Sequence, residues 1–183
     1  MSRFILGVTG ASGAIYATRT ALHLKRLGHE VVAIVTRPGG EVVAFEGENR
    51  LYDYCDDTRN VEDFFADCAS GSSGYDGMAV VPCSMGTLGR IAAGTSDNLL
   101  VRSADVCLKE KRPLVIVPRE MPYNLIHLEN MVRLNRAGAI VVPASPQFYT
   151  HPKTVEDFVD TVVAKVLKHL GVDADLGKKW GSV

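Results

Sequence analysis

Short apolar runs and longer amphipathic stretches alternate along the chain, and this rhythm predicts most of the fold. Phe4-Ile5-Leu6-Gly7-Val8 is a continuous apolar run, as expected of a strand buried on both faces of a parallel sheet. Over residues 14–27 the apolar positions recur at helical spacing, and Gly28 follows as a helix terminator. Residues 30–35 (Glu-Val-Val-Ala-Ile-Val) form a second strand, so the chain opens with a short βαβ unit. Further strands are predicted at 78–81, 114–117 and 139–142, five in all. Helices are predicted at 40–46, 87–93, 101–110, 127–137 and 154–170, the last closed by Gly171. Residues 47–60 read as a polar, irregular excursion, 61–68 as a short solvated helix, and the Gly/Ser-rich 69–74 as a loop. Strands alternating with helices predict an α/β domain, residues 1–171: a single doubly wound, Rossmann-like and mostly parallel sheet with helices on both faces. A polar tail, 172–183, follows it, extended or docked on a neighbour.

Composition narrows the classes of partner. The 183 residues are 46% hydrophobic and 22% charged, which is globular and enough for one core but not two domains. The net charge of −1 gives no global field favouring nucleic acid or an anionic membrane. An anionic ligand would therefore need a local cluster of basic groups. Cys55, Cys68, Cys83 and Cys107 lie far apart, with no metal comb or disulfide framework. No apolar run approaches the roughly 18 residues a membrane helix needs, and no targeting segment is recognisable, so a cytoplasmic location is expected.

In a doubly wound sheet ligands sit beyond the carboxyl ends of the strands, and the chemistry-bearing residues do follow strands. The first strand runs into Gly7-Val8-Thr9-Gly10-Ala11-Ser12-Gly13 and then a helix, an arrangement that offers backbone N–H groups and a positive helix end to a phosphate. Dinucleotide-dependent dehydrogenases share this kind of turn. Tyr149-Thr150-His151-Pro152-Lys153 matches their Tyr-x-x-x-Lys letters, but Pro152 forbids the uninterrupted helix that would align the two side chains. The second strand ends in Thr36-Arg37, not in a carboxylate for a ribose, which also argues against a dehydrogenase. In Pro82-Cys83-Ser84-Met85-Gly86-Thr87, Cys83 reads as a small buried residue rather than a nucleophile. Among the basic residues Arg102, Lys109, Arg112, Arg119 and Lys165, Arg119 follows a strand directly and suits bidentate phosphate binding. His127 and Glu129 read as local capping or pairing groups, and the acidic residues between Asp53 and Asp67 as a solvated face.

Together, Gly10-Ala11-Ser12-Gly13-Ala14, Pro82-Cys83-Ser84-Met85, residues 97–110, Pro118-Arg119-Glu120-x-Pro122, residues 126–131 and Pro146-x-Phe148-Tyr149 closely resemble the UbiX/Pad flavin prenyltransferase family, in matching order over residues 3–171. The resemblance implies an enzyme that moves a dimethylallyl group from dimethylallyl monophosphate to N5 and C6 of reduced FMN. The prenylated FMN would serve a UbiD-type decarboxylase. It implies FMN contacts at Gly10, Ala11, Ser12, Thr36, Ser84, Met85, Gly86, Thr87 and Arg119. It implies donor contacts at Arg102, Lys109, Arg119, Tyr149 and Lys165, and catalytic roles for Ser12, Glu46 and Glu120, with no metal. Lys165 stands where some relatives carry Arg, which keeps the charge and loses the fork. A homo-oligomer, a dodecamer with sites between subunits, is implied as well. Two other readings are an FMN-binding accessory subunit of a hydroxyarylic acid decarboxylase and a related cysteine decarboxylase. The second is opposed by the absence of its Pro-x-Met-Asn-x-x-Met-Trp motif.

Overall fold

The computed structural model describes residues 1–176. Six parallel strands lie in the order β3-β2-β1-β4-β5-β6: β1 (Arg3–Val8), β2 (Glu30–Val35), β3 (Asp57–Arg59), β4 (Gly77–Cys83), β5 (Leu114–Pro118) and β6 (Ile140–Val141). Because the central strands β1, β2, β4 and β5 are covered on both sides, alternate residues of one run serve opposite cores. Phe4, Leu6 and Val8 pack with Val115, Val117 and the apolar faces of α1 (Ala14–Arg26) and α6 (Val155–His169). Ile5, with Met78, Val80 and Ile116, packs with α3 (Met85–Ala93), α4 (Leu99–Lys109) and Leu134 of α5 (Leu125–Arg136). The predicted doubly wound sheet is present. Thr154 caps α6 through a reciprocal capping box with Asp157, and Asn124 caps α5 in the same way with His127.

Three expectations need correction. Residues 47–60 are not irregular throughout: they hold a 3-10 turn (Asn49–Tyr54) and the edge strand β3, giving six strands where five were predicted. All three residues of β3 are polar, so no hydrophobic alternation marks it; its parallel register with Val32–Ile34 does. Residues 61–68 are turns ending in a short 3-10 segment (Asp67–Ala69), held down by buried Ala66 and Cys68. The described part of the tail docks on its own chain, with Val172, Ala174 and Leu176 packed into the α1/α6 core. Residues 177–183, Trp180 among them, lie outside the described residues.

Strand order reverses between β1 and β4, which opens a crevice beyond their carboxyl ends. Thr9 ties this crevice together: its hydroxyl donates to Pro82 O at 2.8 Å and accepts from Ser84 N at 2.8 Å. The end of β2 is stitched to β1 by Thr36, whose N–H donates to Val8 O at 3.0 Å.

Candidate functional site

Three helices begin around this crevice: α1, α2 (Arg37–Phe45) and α3. Gly13 stands at the N-cap of α1 with φ 105°, a left-handed conformation that a β-carbon strains, and it provides no side-chain cap. The cap comes instead from Glu46, 33 residues away. Its carboxylate accepts from Gly13 N at 3.0 Å and from Ala14 N at 2.7 Å. Partial burial pushes the Glu46 carboxyl up. The Ser12 hydroxyl, the two backbone N–H groups and the nearby Arg119 guanidinium outweigh that and hold it below the ordinary carboxylate range.

Arg119 follows β5 and donates from Nε to Ser12 O at 2.8 Å. Its terminal nitrogens make no further hydrogen bond among the described residues, which leaves the guanidinium fork for a ligand. Tyr16 lies over Gly13 and beside Arg119; burial raises its phenol, and Arg119 partly offsets this. Ser12, Glu46 and Arg119, chosen from separate stretches of sequence, therefore meet at one turn. Tyr16 was not anticipated, because an aromatic on the first turn of an amphipathic helix reads as core.

The starts of α2 and α3 are capped locally and keep their outward side. Thr36 accepts from Gly39 N at 3.1 Å, and Ser84 accepts from Thr87 N at 3.4 Å and donates to Thr87 Oγ1 at 3.2 Å. Met85 and Thr87 are buried, while Gly86 is exposed. Gly10 is needed for close approach: a β-carbon there would lie 2.6 Å from Pro38 Cβ. Cys83 is fully buried and burial pushes its thiol up, so it stays a protonated core residue, as predicted. Glu120 is exposed beside Arg119 and accepts from Met121 N at 3.0 Å.

The remaining predicted residues lie elsewhere on the chain. Arg102 donates to Ala69 O at 3.1 Å and pairs with Asp105 at 2.9 Å, and Lys109 pairs with Glu110. Lys109 ends the helix that leads into β5, at the sheet end opposite the crevice. Tyr149 and Lys165 instead line a cavity of about 780 Å³ between α6, the loop 147–152 and the tail. That loop is fastened to α6 at both ends. Gln147 N donates to Thr161 Oγ1 at 3.0 Å, and Lys153 N donates to Asp157 Oδ2 at 2.9 Å. His151, ahead of Pro152, takes φ 53°, so Tyr149 and Lys153 share no helix, as the sequence predicted.

This geometry offers a crevice flanked by the locally capped starts of α2 and α3, with a guanidinium fork unpaired among the described residues and a hydroxyl, Ser12, beside the Glu46 carboxylate. Comparison with known proteins agrees with it. The family model described as Flavoprotein matches residues 1–167. The flavin prenyltransferase UbiX of Methanocaldococcus jannaschii is 46% identical, over 99% of this chain and 100% of its own. A crystal structure of AnUbiX (PadA1) in complex with FMN and dimethylallyl pyrophosphate superposes with a TM-score of 0.96 at 36% identity, covering 100% of this chain and 98% of that one. A dodecameric FMN-dependent Ubix-like decarboxylase from Escherichia coli O157:H7 gives 0.93 at 41% identity, covering 97% and 98%.

Proposed function

The chain belongs to the Flavoprotein family, and on that premise we propose that it is a flavin prenyltransferase, transferring a dimethylallyl group from its phosphate ester to reduced FMN. The convergence of Ser12, Glu46 and Arg119 on the turn at the β1/β4 crevice carries this reading.

The residues present fit FMN. Thr36 at the start of α2 and Ser84, Met85, Gly86 and Thr87 at the start of α3 would hold it, together with Gly10, Ala11 and Arg119. When bound and reduced, FMN supplies the nucleophilic N5 and C6 positions that accept the prenyl group. The chain supplies the rest. Glu46, held as a carboxylate, accepts from the Ser12 hydroxyl and so orients it; its lowered pKa suits a proton acceptor better than a donor. The guanidinium fork of Arg119 is free to bind phosphate, and a departing phosphate needs such charge stabilisation.

Tyr149 and Lys165 bind the phosphate end of the donor, dimethylallyl monophosphate. They, with Arg102 and Lys109, sit outside the crevice of their own chain, so they act across subunit boundaries of a homo-oligomer. A dodecamer like that of the E. coli relative is the assembly we infer. Glu120, beside Arg119, completes the catalytic set with Ser12 and Glu46. The prenylated FMN passes to a UbiD-type decarboxylase in the cytoplasm; among the described residues no helix is long and apolar enough to cross a membrane.

The test is to mix the protein anaerobically with FMN, a reductant and dimethylallyl monophosphate and weigh the flavin. A gain of one isoprenyl unit is expected. Unchanged flavin from a folded, FMN-loaded protein would overturn the proposal and favour an accessory subunit.

A further inference from the structure

The cavity that contains Tyr149 and Lys165 holds a second lysine for which the foregoing gives no role. Lys168 lies one turn beyond Lys165, and residues three apart share a helix face. Both line the cavity, and neither has a hydrogen-bond or ion-pair partner among the described residues. Like charges on one helix face repel, and an anion between them would relieve that.

The carboxylates around the cavity do not fill that role. Asp157 accepts from Lys153 N and Thr154 N. Asp160 is engaged by Arg19 and His23 of α1. Asp173 and Asp175, on the tail wall, form no ion pair with either lysine. His151 is the remaining titratable group of the lining besides Tyr149.

A separate feature points the same way. Thr150, also in the lining, has its hydroxyl buried without a hydrogen-bond partner. Leaving such a group unpaired is unfavourable, because the hydrogen bond it makes to water in the unfolded chain is not replaced. A phosphate brings several acceptor oxygens to such a lining.

We propose that Lys168 is a second phosphate-binding cation of this cavity, acting with Lys165 and Thr150 on the phosphate end of the prenyl donor. This rests on the prenyltransferase reading and extends it. An ammonium is a point charge without the fork of a guanidinium, so two lysines a turn apart supply the two-sided grip that one arginine could. Two cations also match a diphosphate better than one does, which makes Lys168 a determinant of donor choice.

The experiment is isothermal titration of FMN-loaded protein with inorganic phosphate, dimethylallyl monophosphate and dimethylallyl diphosphate in parallel, for wild type, Lys168→Gln, Lys168→Arg and Lys165→Gln. Lys168→Gln should weaken all three ligands, by about tenfold for the diphosphate, the order expected for one charge-assisted hydrogen bond. Lys168→Arg should restore binding. FMN retention and melting temperature should not move, because Lys168 is exposed. Wild-type affinities in Lys168→Gln would overturn the proposal, as would loss of FMN alongside loss of phosphate. If phosphate binding depends on both lysines but no flavin is ever prenylated, the anion subsite stands and the proposed function fails. If flavin is prenylated while Lys168→Gln is silent, the reverse holds.

Discussion

The turn that opens α1 and the turn that opens α3 are built from the same parts: a strand end, small residues and a helix N-terminus. Only one of them leaves its helix N-terminus without a carboxylate on it. At α1 the backbone donors of Gly13 and Ala14 are taken by Glu46, whereas at α3 the cap is the local Ser84 hydroxyl and the outward side stays open. A strand followed by Gly-x-x-Gly-x-x-Gly is therefore not by itself a phosphate site. A carboxylate from the C-cap of α2 occupies the backbone donors of the glycine turn and makes it a mount for Ser12, so an anion cradle there is ruled out by the chain's own side chain.

Substitutions separate the two turns. The largest effect is expected from Arg119→Ala, which removes the cation and its hold on Ser12 O. Prenyl transfer should fall by at least about 100-fold, as when one charge-stabilising donor is lost from an active site. The melting temperature should barely change, and wild-type turnover would remove Arg119 from the site. Next comes Gly39→Ala, in the first turn of α2. Its β-carbon would lie 2.6 Å from Val8 O, a backbone atom that cannot rotate away. A loss of about 2 kcal/mol in denaturant unfolding is expected, in the range for overpacking, along with weaker FMN binding. Unchanged stability would show that β1 and α2 are not locked together.

Much of this was legible in the sequence, for identifiable reasons. Parallel strands buried on both faces leave unbroken apolar runs, so β1, β2, β4 and β5 were visible, while three-residue polar β3 at the edge left no trace. Ser12, Ser84 and Arg119 were visible because fold rules put chemistry after strands. The cap that Glu46 gives α1 was not, because it joins residues 33 positions apart and α1 has no local cap to betray its absence. Lys168 was hidden differently: a lysine late in an amphipathic helix reads as a solvated face. The chain's own sequence also cannot show that Arg102 and Lys109 point away from their own crevice; that required the direction of α4 within the fold.

At the open turn, Ser84→Ala removes a cap and one wall of the proposed FMN site together. A loss of about 1 kcal/mol in stability is expected from the cap, with FMN binding weakened by roughly tenfold, since a charge-assisted hydrogen bond is worth about that much. Fluorescence quenching of the flavin reads the second quantity. Loss of stability without loss of FMN affinity would leave Ser84 as a cap alone and put the anion at α2.

The smallest effect belongs to Glu46→Gln, and its pH dependence is what identifies it. Glu46 has a folded-state pKa below its unfolded value, so its charge contributes stability above about pH 4.3, the ordinary Glu value. That contribution disappears as pH falls through the folded pKa. Glutamine can still accept hydrogen bonds from Gly13 N and Ala14 N but brings no charge to the helix end. The variant should therefore be less stable than wild type at pH 7, by under about 1 kcal/mol because the site is partly exposed and screened. The two unfolding curves should converge only as pH falls through the lowered folded-state pKa. A gap that persists unchanged in acid would mean that the variant loses packing rather than charge, and the carboxylate would no longer explain why the turn at α1 is closed while the turn at α3 is open.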